Sequence, residues 1–254
     1  MKLVILGSGT SVPHANRASP AFWLDTTGGS ILLDISADAP HRMAQEALEW
    51  TNLDAIWISH FHLDHMGGLA PYLFATKWAP QTQERTRPLK IFGPSGLREV
   101  FAAIDGANNY RLLSQPFEIE FVAVNPEAEF EILPNILART IATSHTRESL
   151  ALHLTESPGK SFVYTSDTGF SENLVPFAKG VDVLLMECSF RKNKPLQTHL
   201  ELAEVIILAR ACAPKKLILT HLYPEWNGLD LVSEVKRLWP GETIEATDGL
   251  RLEI

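Results

Sequence analysis

Three imidazoles and a carboxylate fall within one hexapeptide, His60-Phe61-His62-Leu63-Asp64-His65. Imidazole is the commonest protein ligand for zinc and its neighbours, and carboxylate is the usual oxygen partner. Packing gives no reason for such density, so the segment reads as one side of a metal site. One loop supplies only part of a coordination sphere, and the remaining donors must come from elsewhere in the chain. Four residues qualify. His145 follows the apolar run ending at Ala142, Asp167 follows Tyr164-Thr165-Ser166, and His221 follows Leu217-Ile218-Leu219-Thr220. His199 opens the apolar segment 199–212. Polar residues that close a strand or open a helix rim a sheet edge, where sites on layered α/β folds are built.

The elements that must position these groups follow from hydrophobic period and turn residues. Strands are expected at 2–6, 21–27, 30–34 and 55–59, with a hairpin at Gly28-Gly29 and helices over 38–48 and 68–78. The hexapeptide then lies on a strand-to-helix loop. A strand at 89–92 and a helix at 95–104 follow. Strands crowd the middle of the chain at 117–123, 129–133, 136–143, 150–155 and 160–165. Beyond that, strand 181–186, helix 199–212, strand 216–220, helix 229–238 and strands at 242–245 and 250–253 alternate. The pattern suits two sheets packed face to face with helices outside, an α/β (α+β) arrangement. Residues 1–254 are taken as a single domain.

Composition narrows the function classes. At 45% hydrophobic content the 254 residues support a sizeable core, and no stretch approaches the ~18 apolar residues of a membrane helix. The N-terminal apolar run is too short for a signal peptide, which leads to the expectation of a cytoplasmic protein. Cys188 and Cys212 are too few for a disulfide framework or a thiolate zinc site, so any metal rests on nitrogen and oxygen. The formal charge of −8 gives no basic footprint for nucleic acid, although a local patch is compatible with it. Gly7-Ser8-Gly9 is a lone Gly-x-Gly; Val12-Pro13 denies the third glycine and the helix that dinucleotide binding needs. His14, His41 and His153 match no motif.

The ordered set His60, His62, Asp64, His65, His145, Asp167 and His221 resembles the metallo-β-lactamase superfamily, over nearly the whole chain. That resemblance implies a four-layer αββα sandwich holding two divalent ions. One ion would take His60, His62 and His145, the other Asp64, His65 and His221, with Asp167 bridging. A water or hydroxide would sit between them as nucleophile, which Asp64 would help to orient. His62 stands where the oxygen-reducing di-iron branch has glutamate, which favours hydrolysis. Leu6-Gly7-Ser8-Gly9-Thr10-Ser11, Met186-Glu187-Cys188-Ser189-Phe190 and Thr198-His199-Leu200 resemble segments of the ribonuclease Z-like phosphodiesterases. The resemblance makes His199 the general acid, Glu187 the residue that orients it, and a homodimer admissible. Cys188 and Leu200 depart from the family residues. Leu150 to Ser166 is too short for the tRNA-gripping arm of the processing enzymes. The expected substrate is therefore a phosphodiester smaller than, or different from, a tRNA precursor. A tRNA 3′-processing endonuclease without the arm, a lactone or thioester hydrolase and a non-enzymatic scaffold are the alternatives. The thiolate-free ligand set suits zinc, with manganese or iron admissible.

Overall fold

The computed structural model describes residues 1–254, with fourteen strands in two seven-stranded sheets. In chain order they are β1 (Lys2–Gly7), β2 (Ala21–Thr26), β3 (Gly29–Leu33), β4 (Ala55–Trp57), β5 (Leu89–Pro94), β6 (Ile119–Val124), β7 (Glu129–Leu133), β8 (Ile136–Ala142), β9 (Leu150–Glu156), β10 (Lys160–Tyr164), β11 (Val183–Glu187), β12 (Lys216–Thr220), β13 (Glu242–Glu245) and β14 (Arg251–Glu253). One sheet runs β14-β1-β2-β3-β4-β5-β6 and the other β13-β12-β11-β10-β9-β8-β7. Each joins an antiparallel part to four parallel strands, β3 to β6 in one and β10 to β13 in the other. The parallel strands β4 and β11 are buried throughout, as strands covered on both faces must be. On antiparallel β8 burial alternates instead.

Three apolar clusters separate four layers. Leu24, Trp57, Leu152, Phe162 and Leu185 belong to the one between the sheets. Outside the first sheet, Met43, Leu69, Tyr72, Leu73, Leu97 and Phe101 pack helices α1 (Ala39–Gln45), α3 (Leu69–Trp78) and α4 (Leu97–Gly106) onto Val4, Leu32 and Ile56. Outside the second, Leu174, Val205, Leu208 and Val235 pack helices α5 (Leu174–Phe177), α6 (Leu202–Cys212) and α7 (Leu231–Leu238) onto Leu184, Met186 and Leu217. The fold is the expected αββα sandwich.

The expected elements are present with ends shifted by a few residues. Two differences touch the site. A single helical turn, α2 (Leu63–Met66), begins within the hexapeptide, so Asp64 and His65 are helical rather than on an open loop. His199 does not start its helix. α6 begins at Leu202, because Glu201 is the N-cap and forms a reciprocal capping box with Glu204. Neither Thr198 nor His199 serves the cap, and His199 sits on the loop ahead of it.

Candidate metal centre

The parallel strands point their C-terminal ends at one rim, and the polar residues after those ends meet there. β4 delivers Ser59 and His60, β10 delivers Ser166 and Asp167, β11 ends on Glu187, and β12 delivers His221. The β8–β9 connection adds His145. Asp167 Oδ2 is the centre of the cluster. It lies 3.2 Å from His65 Nε2 and 3.2 Å from His221 Nε2, 3.7 Å from His145 Nε2 and 3.9 Å from His60 Nε2. Asp64 Oδ2 lies 3.6 Å from His65 Nε2 and 3.7 Å from His221 Nε2. Ligand atoms about 2.1 Å from a shared ion sit roughly 3.0–3.4 Å apart, close to these spacings. Two groups emerge whose donor atoms lie within 4.8 Å of one another: His60, His62, His145 and Asp167, and then Asp64, His65 and His221. A third joins His199 to Asp167 and His221. All the residues singled out from sequence are thus brought to one place.

These atoms fit a cation better than they fit one another. His60 Nε2, His65 Nε2 and His221 Nε2 are buried and have no hydrogen-bond partner. Buried polar atoms are rarely orphaned without a functional reason. Their charges respond to the crowding. Burial and the neighbouring His65 hold His60 well below the usual imidazole range, and burial lowers His145 too. Burial also opposes charge on His65, yet Asp167 and Asp34 outweigh it and raise this imidazole well above its usual range. Burial disfavours the Asp167 anion, and the His221 and His65 charges still bring it well below the carboxylate range. A cation at the free Nε2 atoms would do for Asp167 what the proton on His65 otherwise does.

A family model described as "Anti-Pycsar protein Apyc1" matches residues 1–234. The chain belongs to the Apyc1 family. Ribonuclease Z of an Exiguobacterium species is 27% identical across all of this Apyc1-family chain and 99% of its own length. The probable metallo-hydrolase YhfI of Bacillus subtilis is 25% identical over 98% of each chain. The crystal structure of the metallo-β-lactamase fold protein YhfI superposes with a TM-score of 0.85 at 24% identity, covering 100% of this chain and 99% of that one. Human short-form tRNase Z superposes at 0.79 and 19% identity, again over 100% and 99%. The chain is a metal-dependent hydrolase of the ribonuclease Z-like branch of the metallo-β-lactamase superfamily.

Beneath the rings of this Apyc1-family chain lies a layer of acceptors that aims them. His65 Nδ1 donates to Asp34 Oδ2 at 2.7 Å. Ser59 Oγ donates to the same oxygen at 2.8 Å and therefore accepts from His60 Nδ1 at 3.0 Å. His145 Nδ1 donates to the Thr198 carbonyl at 3.0 Å. His199 Nδ1 donates to Glu187 Oε1 at 3.0 Å. Each Nδ1 is thereby engaged and Nε2 is the atom turned toward the cluster, the arrangement by which outer partners fix ligand tautomers. Burial alone would disfavour charge on His199, but the Glu187 hydrogen bond and its charge win and raise it.

Glu187 is not a solvated strand-end charge. It is 1% exposed and accepts from the Thr168 N–H at 2.7 Å and the Leu200 N–H at 3.0 Å as well. It thus ties the segments bearing Asp167 and His199 together. Gly169 lets those segments touch, since a Cβ there would come within 2.2 Å of the Gln197 carbonyl oxygen. Tyr223 stacks on Phe190 at 4.7 Å beside His199 and His221. Trp226 is buried, its indole N–H bound to the Cys188 carbonyl, while Trp78 is exposed at the end of α3 under Lys77. His153 is structural, bonded to the Phe177 carbonyl. Apart from Glu187, sequence reading missed this supporting layer, Asp34 above all. A carboxylate after Ile31-Leu32-Leu33 was the available signal, since the same strand-end position marked Asp167.

Proposed function

We propose that this chain is a two-metal phosphodiesterase, with His60, His62 and His145 holding one divalent ion, Asp64, His65 and His221 the other, and Asp167 between them. Zinc suits the donors, with manganese or iron next. The observation that carries the reading is the trio of orphaned, buried Nε2 atoms turned toward Asp167 beside a carboxylate-bound His199. Bound divalent ions supply charge neutralisation for a phosphoryl group and lower the pKa of water to about 7. The chain's own contribution is positional. Asp34, Ser59 and Glu187 hold the rings so that a phosphate entering the rim meets preorganised groups.

His199 is the proton donor for the departing oxygen. Its Nδ1 is fixed on Glu187, which leaves Nε2 to carry the proton and favours its charged form. Such help contributes about 10²–10⁴-fold. Asp64 has one carboxylate oxygen directed at His65 and His221, and its other oxygen can orient water. The substrate is a phosphodiester of modest size. Residues 150–164 form only the β9–β10 hairpin, and no tRNA-gripping extension replaces it. The ribonuclease Z relatives support a phosphodiester.

His199→Ala is the test. The variant should retain about two ions per chain by elemental analysis, yet cleave bis(p-nitrophenyl) phosphate at least 10²-fold more slowly. Loss of an ion would instead make His199 a ligand, the role its grouping with Asp167 and His221 would allow. Wild-type protein that takes up neither zinc nor manganese would end the metal reading. Lactones or thioesters turned over in preference to diesters would end the phosphodiesterase one.

A further inference from the structure

Each half of the sandwich places a serine two residues past its second parallel strand. Ser59 follows β4, which ends at Trp57, and Ser189 follows β11, which ends at Glu187. Both hydroxyls are fully buried. Ser59 spans Asp34 and His60, as described above. Ser189 does the same on the other side. Its Oγ lies 2.6 Å from Glu187 Oε2 and 2.9 Å from His221 Nδ1, and only 3.4 Å from His199 Nδ1, which has Glu187 Oε1 nearer at 3.0 Å. A hydroxyl has one proton to give. The shorter contact is to a carboxylate, which only accepts, so Ser189 donates to Glu187 and must accept from His221 Nδ1.

We propose that Ser189 is a positioning residue that extends the charge of Glu187 to His221, so that one carboxylate orients both the proton donor and a ligand of the second ion. The inference rests on the metal assignment proposed above. Geometry favours the pairing. The β11–β12 register sets Glu187 opposite Thr220, which brings Ser189 alongside His221, and the Cys188 N–H closes the ladder on the Thr220 carbonyl at 2.9 Å. His199 and His221 stack with ring centroids 5.2 Å apart, so a tilt in one is felt by the other. His221 has no other acceptor for its Nδ1 proton. Without the hydroxyl, nothing in the structure selects the tautomer that frees Nε2, and the Glu187 oxygen loses one of its donors.

The matching halves also differ in a way that assigns distinct work. In the first, Asp34 takes His65 directly and His60 through serine, and both are proposed ligands. In the second, Glu187 takes His199 directly and His221 through serine, and only His221 is one. Ser189 therefore separates two functions hung on one carboxylate: its loss should weaken an ion while leaving the His199–Glu187 contact in place.

The experiment compares wild type, Ser189→Ala, Ser189→Thr and Glu187→Gln. Stepwise Zn2+ affinities come from chelator competition, and the His221 tautomer from imidazole 15N shifts in the metal-free chain. Ser189→Ala should weaken one Zn2+ step by about 10–100-fold and leave the other unchanged. The His221 Nδ1–H signature should vanish, and Thr should restore both. Glu187→Gln should weaken the same step and, in addition, slow turnover at saturating Zn2+. Unchanged affinities in Ser189→Ala, equal loss at both steps, or failure of Thr to rescue would overturn the proposal. So would a wild-type His221 that carries its proton on Nε2, a result independent of any metal. A wild type that binds fewer than two ions, with the Nδ1–H tautomer present, would instead count against the metal assignment and leave the hydroxyl link standing.

Discussion

Asp34→Asn is the most revealing single change, because it alters one atom in a residue that touches no substrate. Asp34 is fully buried, and its two oxygens accept four hydrogen bonds: Ser59 N–H on Oδ1 at 2.7 Å, and Ser59 Oγ, His65 Nδ1 and Tyr164 Oη on Oδ2 at 2.8, 2.7 and 2.7 Å. An asparagine loses least by placing its NH2 at the Oδ1 position. It then faces the Ser59 N–H, one bond is lost, and buried donors oppose each other at about 1–3 kcal/mol. The three bonds on the other oxygen fall from charge-assisted to neutral, about 1 kcal/mol each. Relief from burying a charge offsets part of the total, which leaves about 3–5 kcal/mol. For a chain of this size each kcal/mol lowers Tm by roughly 2–4 °C, so a drop of about 10 °C is expected in chelator-treated protein. Zn2+ affinity should fall about 10–100-fold as His60 and His65 lose their tautomer control. Calorimetry and chelator competition measure the two effects. Ser59→Ala, which deletes the hydroxyl's two bonds to Asp34 and His60 but leaves the carboxylate on His65, should show a smaller version of both. An Asp34→Asn protein that melts within 2 °C of wild type and binds Zn2+ equally well would refute the argument that this carboxylate organises the rim.

Other outcomes follow from the same structure. Adding Zn2+ to chelator-treated wild type should raise Tm in a concentration-dependent way, by about 2.7 kcal/mol of stability at 100 times the dissociation constant; a flat response would remove the metal from the folded state. Gly169→Ala forces the Gln197 carbonyl away, at about 1–3 kcal/mol, and should cut kcat by about 10²-fold through displacement of the His199 loop, with ion content preserved. Burial opposes the Asp182 anion, but Lys215 and the Ser161 N–H and hydroxyl outweigh it and lower its pKa. Its stabilising contribution is therefore complete above the ordinary carboxylate range and lost as pH falls through the depressed value. Urea midpoints of wild type and Asp182→Asn should differ at pH 7 and converge in acid; a constant gap would contradict the linkage. Phe162→Ala, at the centre of the layer between the sheets, should cost about 3–5 kcal/mol by equilibrium unfolding.

Much of this protein was legible along the chain. Alternating and continuous apolar runs located the strands, because side chains on a pleated sheet repeat every two residues and strands covered on both faces are apolar nearly throughout. Ligand density marked the hexapeptide, and isolated polar residues after apolar runs marked His145, Asp167 and His221. Boundaries slipped where local chemistry competed. The Glu201–Glu204 capping box moved the start of α6 past His199.

What only the tertiary structure decided is which groups stand behind the ligands. Asp34 reaches Ser59 across 25 residues, His65 across 31 and Tyr164 across 130, and Ser189 reaches His221 across 32. No local pattern encodes such pairings. They depend on the register of neighbouring parallel strands and on how the two sheets face each other, so that Leu33 lies beside Trp57 and Glu187 beside Thr220. The sequence determined the atoms that could hold a cation. Their aim was settled by hydrogen bonds to buried carboxylates that become neighbours only when the strands of each sheet are in register.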